Sequence, residues 1–223
     1  MVKIKAAVCH KFGAPLQIET INLREPLTGE VEVTLGAVAV CHSDISFAAG
    51  DWGGELPAVY GHEAAGFVSK TGNAVKGFEI GDRVVVTLIK SCGNCNNCLE
   101  GNPTICEANN LAMPPILSAK NKTIQQVMNC GAFAEKVVVD QSQIVKLNSD
   151  LSFAAASLLA CGVITGVGAV VNAAKLRPGQ DVVVIGAGGV GLNAIQGARI
   201  AGARRIVAVD TNKDKLITAT EFG

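Results

Sequence analysis

Residues 91–106 read SCGNCNNCLEGNPTIC and hold four of the chain's eight cysteines, Cys92, Cys95, Cys98 and Cys106. The spacing is C-x2-C-x2-C-x7-C. Four thiolates this close suit a tetrahedral zinc ion in a closed structural site, which ties down a loop too irregular to hold itself. An iron–sulfur cluster and a metal-free loop are the alternatives. The bacterial cluster pattern ends C-x3-C-P, whereas here the last gap is seven and Glu107 follows Cys106.

Three further donors are scattered along the chain: Cys41 in CHSD, His62 in GHEAAG and Cys161 in ACGVITG. Taken singly, each has a bland reading as a buried thiol or a satisfied core histidine. Their neighbours shift the balance, because Cys41 stands beside Ser43 and Asp44, and His62 beside Glu63. Two thiolates and one imidazole leave a fourth position open, as catalytic zinc requires. Asp44 or Glu63 would orient His62 from behind.

A third group is a glycine-rich turn. VVVIGAGGVG contains Gly186-x-Gly188-x-x-Gly191, follows an apolar run and opens a helical pattern. Asp210 closes the next strand-like run about 20 residues on, where a ribose-binding acid is expected. The glycines would let backbone approach a pyrophosphate at a helix N-terminus. Asp210 would accept the adenosine ribose hydroxyls and repel a 2′-phosphate, favouring NAD over NADP. The bland alternative is a strand–helix turn kept for packing.

The elements that must position these groups fall into two textures. Residues 1–90 alternate short β-type runs with Gly and Pro, as at 30–40, 66–72 and 82–89, and suggest a barrel or sandwich. Residues 91–130 read as irregular, with MPP at 113–115, and KVVVD at 136–140 as one more strand. From about 150 the pattern becomes β-α-β-α: strand 181–188, helix 189–203, strand 205–210, then a further helix. Only two strands of a dinucleotide-binding sheet are present, so a piece of a longer protein is expected.

Composition excludes several classes. Lys and Arg total 19, equal to Asp and Glu, and no basic run occurs, so nothing points to nucleic acid. The N-terminus lacks a signal-peptide core, and clustered cysteines fit a reducing cytoplasm. The uncharged stretch 151–174 is rich in Ala and Gly and reads as a buried, closely packed helical region rather than a membrane span.

Together these motifs resemble the zinc-containing medium-chain alcohol dehydrogenases. GHEAAGFV, followed by GDRV, resembles the family's Gly-His-Glu signature. CGNCNNCLEGNPTIC resembles its structural-zinc lobe (about 91–107), and GAGGVG its nucleotide loop. The resemblance implies an α/β plus β chain: a GroES-like, mostly β catalytic domain over 1–150 and an incomplete, parallel, doubly wound Rossmann domain over 151–223. It implies two zinc ions. The catalytic ion would rest on Cys41, His62 and Cys161 with Glu63 close behind, and the structural ion on Cys92, Cys95, Cys98 and Cys106. Asp44 would hydrogen-bond the His ligand, and Ser43 would hand the substrate proton onward. His42 would meet the cofactor pyrophosphate. Thr165 and Val190 would lie against the nicotinamide, and Asp210 and Lys215 near the adenosine ribose. Ser46 departs from the family, which often has His there as the end of a proton relay. Leu88 reads as a substrate-pocket wall or as plain core.

The implied activity is reversible, NAD-dependent oxidation of a small alcohol to an aldehyde or ketone, by a parent protein that is a homo-oligomer, dimer or tetramer. The rival readings are a zinc-stabilised fragment or binding module without turnover, and a zinc-free reductase of the same superfamily. The joint presence of Cys41, His62, Glu63 and Cys161 speaks against the latter.

Overall fold

A computed structural model describes residues 1–110, 117–119 and 122–223. The chain divides into two compact units, Met1–Ala160 and Cys161–Gly223. In the first, the strands and helices in chain order are β1 (Val2–Cys9), β2 (Gln17–Leu23), β3 (Glu30–Ala39), α1 (His42–Ala49), β4 (Ala58–Val59), β5 (Glu63–Thr71), β6 (Arg83–Val86), α2 (Asn96–Leu99), β7 (Leu117–Ala119), β8 (Lys122–Gln126), β9 (Lys136–Asp140), β10 (Ile144–Lys146) and α3 (Phe153–Ser157). The second holds α4 (Gly162–Gly168), β11 (Asp181–Ile185), α5 (Gly189–Ile200), β12 (Arg205–Val209) and α6 (Lys213–Phe222).

In the first unit β1, β2, β7, β8 and β4 close a barrel, with β4 and β8 parallel and the other pairs antiparallel. β1 shows why. Ile4, Ala6 and Val8 point inward and Lys3 and Lys5 outward, the period-2 pattern of a half-buried strand. A second sheet runs β10-β6-β5-β3-β9. Its core is mostly valine, including Val31, Val33, Val68, Val84, Val86 and Val137, all buried. Burying each such side chain contributes about 1.5–3 kcal/mol.

Two buried acids stand on β3, and one of them, Glu32, cross-links this sheet. Glu32 is fully buried; its Oε1 accepts from Lys136 Nζ on β9 at 2.8 Å and from Ser69 Oγ on β5 at 2.7 Å. Glu30 takes two hydrogen bonds from the Arg24 guanidinium and one from the Leu27 N–H. Burial opposes its charge, yet those donors hold its carboxyl below the usual carboxylate range.

Two expectations need correction. Residues 91–130 are not all irregular, because β7 and β8 lie within them. Each buries one large apolar side chain, Leu117 and Ile124, so pairing rather than pattern makes them strands. MPP at 113–115 lies outside the described residues. The stretch 151–174 is helical but only partly buried: Ala156, Ser157, Ala160, Gly166 and Val170 are buried, whereas Leu151, Leu158, Ile164 and Val171 are exposed, and the backbone breaks at Cys161. Among the described residues no single helix is long and apolar enough to cross a membrane.

The second unit is a β-α-β-α run. β11 and β12 pair in parallel, Val183 opposite Val207, and α5 packs Ala194, Ile195 and Ala198 against one face of the pair.

His62 and Glu63 stand at the entry to β5, whose seating against β3 depends on Gly66. A Cβ there would overlap the Thr34 carbonyl and press on the Leu35 Cα, both backbone atoms that cannot swing away. Gly66→Ala is expected to lower unfolding free energy by about 1–3 kcal/mol, the usual cost of overpacking, measured by urea titration.

Candidate metal centres and nucleotide turn

The first centre is built at the start of α1. Cys41 occupies the cap position in extended conformation, φ −94° and ψ 155°. Asp44, three residues on, reaches back so that its Oδ2 accepts the Cys41 N–H at 2.9 Å. This is the return bond of a capping box, and a carboxylate suits the positive end of a helix dipole. Its other oxygen accepts the Gly61 N–H at 2.9 Å and meets His62 Nδ1 at 3.1 Å. A carboxylate only accepts, so Nδ1 carries the hydrogen, and in the neutral ring Nε2 is then the nitrogen with the acceptor lone pair. Asp44 and His62 are 2% and 1% exposed, so this orientation is held away from water.

Ligand atoms of Cys41, His62 and Glu63 lie within 4.8 Å of one another. Ser43 Oγ accepts from the Cys41 thiol at 3.7 Å. One sulfur and one imidazole nitrogen with a carboxylate on its far side are the donor chemistry of a zinc site. Ser46 follows Ser43 by three positions and so shares its helix face. His42 is exposed in the first turn of α1. Leu88 packs against the valine core, the plainer of its two readings.

The second centre is the cysteine cluster. The sulfurs of Cys92, Cys95, Cys98 and Cys106 lie within 4.8 Å of one another, and those of Cys95 and Cys106 are 3.9 Å apart. A tetrahedron with metal–sulfur bonds of about 2.3 Å has edges of about 3.8 Å. Backbone donors already face the sulfurs: Cys92 N–H to Cys106 Sγ and Cys95 N–H to Cys92 Sγ, both 3.3 Å. The N–H groups of Cys98 and Glu107 pull the Cys95 thiol down to about 6. Burial and the neighbouring Cys95 push Cys98 up to about 11. A set prepared to be anionic, which cannot all ionise unaided, fits a cation at its centre. The cluster is compatible with a structural zinc.

In the second unit, Cys161 caps α4 at φ −144°, ψ −68°, off the helical path. Its carbonyl accepts the Thr165 N–H at 2.9 Å, and the Thr165 hydroxyl lies 4.0 Å from its sulfur. The glycine turn runs from β11 into α5. Gly186 donates its N–H to Val209 O at 2.7 Å, and Gly188 caps the helix. A Cβ at Gly191 would overlap the Gly186 carbonyl, so only glycine lets the turn close this tightly. Asp210 is drawn to this turn. Its two oxygens accept the Asn212 N–H at 2.9 Å and the Ala187 N–H at 2.8 Å. Those donors, with the nearby Lys215 charge, hold its carboxyl below the usual range. A carboxylate has about four acceptor positions, so capacity for further donors remains. Val190 stands exposed beside Gly191.

Sequence reasoning passed over Cys130, Thr87 and Gln143. Cys130 is fully buried; burial raises its thiol pKa, with a further push from the Asp44 charge. None of the three stands in a motif, and only tertiary contact picks them out.

Comparison with known proteins places this geometry. The family model for the alcohol dehydrogenase GroES-like domain matches residues 28–149, more than half of the chain. The chain is 38% identical over 231 aligned residues to alcohol dehydrogenase 6 of Peromyscus maniculatus, covering 100% of this chain and 62% of that protein. It is 39% identical to an S-(hydroxymethyl)glutathione dehydrogenase of Synechocystis, covering 100% and 63%. Among solved structures, an alcohol dehydrogenase zinc-binding domain protein from Burkholderia ambifaria superposes with a TM-score of 0.94 at 33% identity, covering 100% of this chain and 62% of that one. The chain thus spans a little under two thirds of the length of these relatives. With its barrel, its valine sheet and its family match, the chain belongs to the alcohol dehydrogenases with a GroES-like domain.

Proposed function

We propose that the chain carries the zinc-binding and NAD-binding framework of an alcohol dehydrogenase, acting on a small alcohol or aldehyde. One observation carries this reading: Asp44 fixes the His62 ring through Nδ1, and the ligand atoms of Cys41, His62 and Glu63 gather within 4.8 Å of one another, with the Ser43 hydroxyl beside the Cys41 sulfur. Cys161 is the proposed third ligand, and the four-cysteine cluster the proposed second zinc site. The activities named for the two curated relatives share one chemistry, loss of hydride from a carbon bearing a hydroxyl.

When bound, zinc supplies Lewis-acid polarisation of the substrate oxygen and NAD supplies the hydride acceptor. Asp44 keeps His62 in the tautomer that ligates. Ser43 accepts the substrate's hydroxyl proton and releases its own along the helix face toward Ser46 through water. His42 offers its ring to the cofactor pyrophosphate. The Gly186–Gly191 turn brings backbone N–H groups and a helix N-terminus to the same diphosphate. Asp210 accepts from the ribose hydroxyls, with Lys215 beside it, and Thr165 and Val190 bound the nicotinamide.

Two zinc ions per chain are expected by plasma emission on the purified 223-residue protein. Cys161→Ala should retain one and leave the thermal midpoint near wild type. Cys95→Ala should also retain one, but with a clearly lowered midpoint, because a closed structural site contributes directly to folding. Equal loss of thermal stability in both variants would count against separate roles.

NADH formation from ethanol, followed by absorbance, tests the chemistry. Activity should be detectable in the zinc-loaded chain and absent in His62→Ala. Full zinc loading with no NADH formed would overturn the assignment of turnover to this chain.

A further inference from the structure

Asp44 fixes both Cys41 and His62, but Cys161 is held differently. It lies at a break between the 3-10 turn Leu158–Ala160 and α4, where the backbone leaves the helical path. Its backbone follows directly on Ala160, the last residue of the first unit. Ala160 is 2% exposed, and a buried carbonyl at a helix end needs a donor from outside the helix. That donor is Thr87, whose Oγ1 gives a hydrogen bond to Ala160 O at 2.9 Å.

Thr87 is itself clamped. Its N–H donates to Gln143 O at 2.9 Å, and its carbonyl accepts Gln143 Nε2 at 3.0 Å and the Cys130 thiol at 3.2 Å. Gln143 is 1% exposed and uses its whole amide: Nε2 also donates to Asn129 O at 3.0 Å, and Oε1 accepts the Asp140 N–H at 3.2 Å. The chain of bonds runs from the end of β9, through a buried amide, to the residue after β6, and from there to Ala160. Threonine fits the last link because it is stiff at χ1 and carries a donor.

We infer that Thr87, held by Gln143 and Cys130, is a positioning residue for Cys161: its hydroxyl pins the Ala160 carbonyl and so sets where the next residue presents its sulfur. The inference rests on the zinc reading above, in which Cys161 is a ligand. Partners one shell out from a metal typically change affinity by about 10–100-fold when removed. Thr87 acts through backbone, so the effect belongs at the lower end, about 10-fold.

The test is zinc retention by the 223-residue chain against a chromophoric chelator, for wild type, Thr87→Val, Thr87→Ser and Cys161→Ala. The zinc on the four-cysteine cluster serves as the internal reference. Thr87→Val should weaken one of the two zincs about 10-fold and leave the other unchanged, and Thr87→Ser should restore the wild-type value. With cobalt in place of zinc, the thiolate charge-transfer band of the weakened site should shift in Thr87→Val and return in Thr87→Ser. Wild-type retention in Thr87→Val, with Cys161→Ala losing one ion, would overturn this inference and leave the zinc reading standing. Two ions retained by Cys161→Ala would instead overturn the zinc reading itself. If Thr87→Val loses both ions together, Thr87→Ala is read by the same criterion, and loss of both there too would refute a local role.

Discussion

A single buried carboxylate sets the geometry of the first candidate metal centre. Asp44 meets donors from three places: the cap of α1, the Gly61 amide and the His62 ring. A charge this deeply buried is tolerable only when each oxygen is matched, so the three donors and the acid constrain one another. α1 cannot rotate without stripping Oδ2, and the Gly61–His62 segment cannot shift without stripping Oδ1. The helix start, the strand entry and the imidazole tautomer therefore become one rigid unit. The surrounding fold serves this unit: the valine sheet supplies β5, the strand that begins at Glu63, and β3 ends just before Cys41.

The same logic recurs at lower stakes. Glu32 and Glu30 are buried acids answered by Lys136, Ser69 and Arg24, and both sit on β3. Glu32 ties β9 and β5 to β3 in register, since a slip of one residue would carry an uncompensated charge into the core, and Glu30 ties the start of β3 to the Arg24–Leu27 segment. β3 is thus held by apolar burial and by charge matching together. It is the strand whose end delivers Cys41.

Much of this was legible in the sequence, for identifiable reasons. The strand at 136–140 was readable because three consecutive valines bounded by Lys and Asp allow little else, and it forms with those bounds. The glycine turn was readable because close approach of backbone demands glycine at fixed offsets. β7 and β8 were not readable, because LSA and KTIQQ carry only one large apolar residue each and become strands only through their neighbours. The stretch 151–174 misled in burial: small apolar residues looked like packed core, yet Leu158 and Ile164 stand open to solvent. Thr87 and Gln143 were invisible for a different cause. A single hydrogen bond between residues 73 positions apart leaves no local pattern.

The eight cysteines sort into two populations. Cys9 and Cys130 are buried, and the other six are the cysteines proposed above as metal ligands. No thiol falls outside these groups as a spare surface nucleophile. If these sets hold metal as proposed, the chain's resistance to air oxidation is coupled to its metal content. Chelating buffers would uncover sulfurs that already lie within a short reach of one another, and disulfides would then lock the donor sets shut. Handling of the purified chain decides, before any assay, which of these two materials is in the tube.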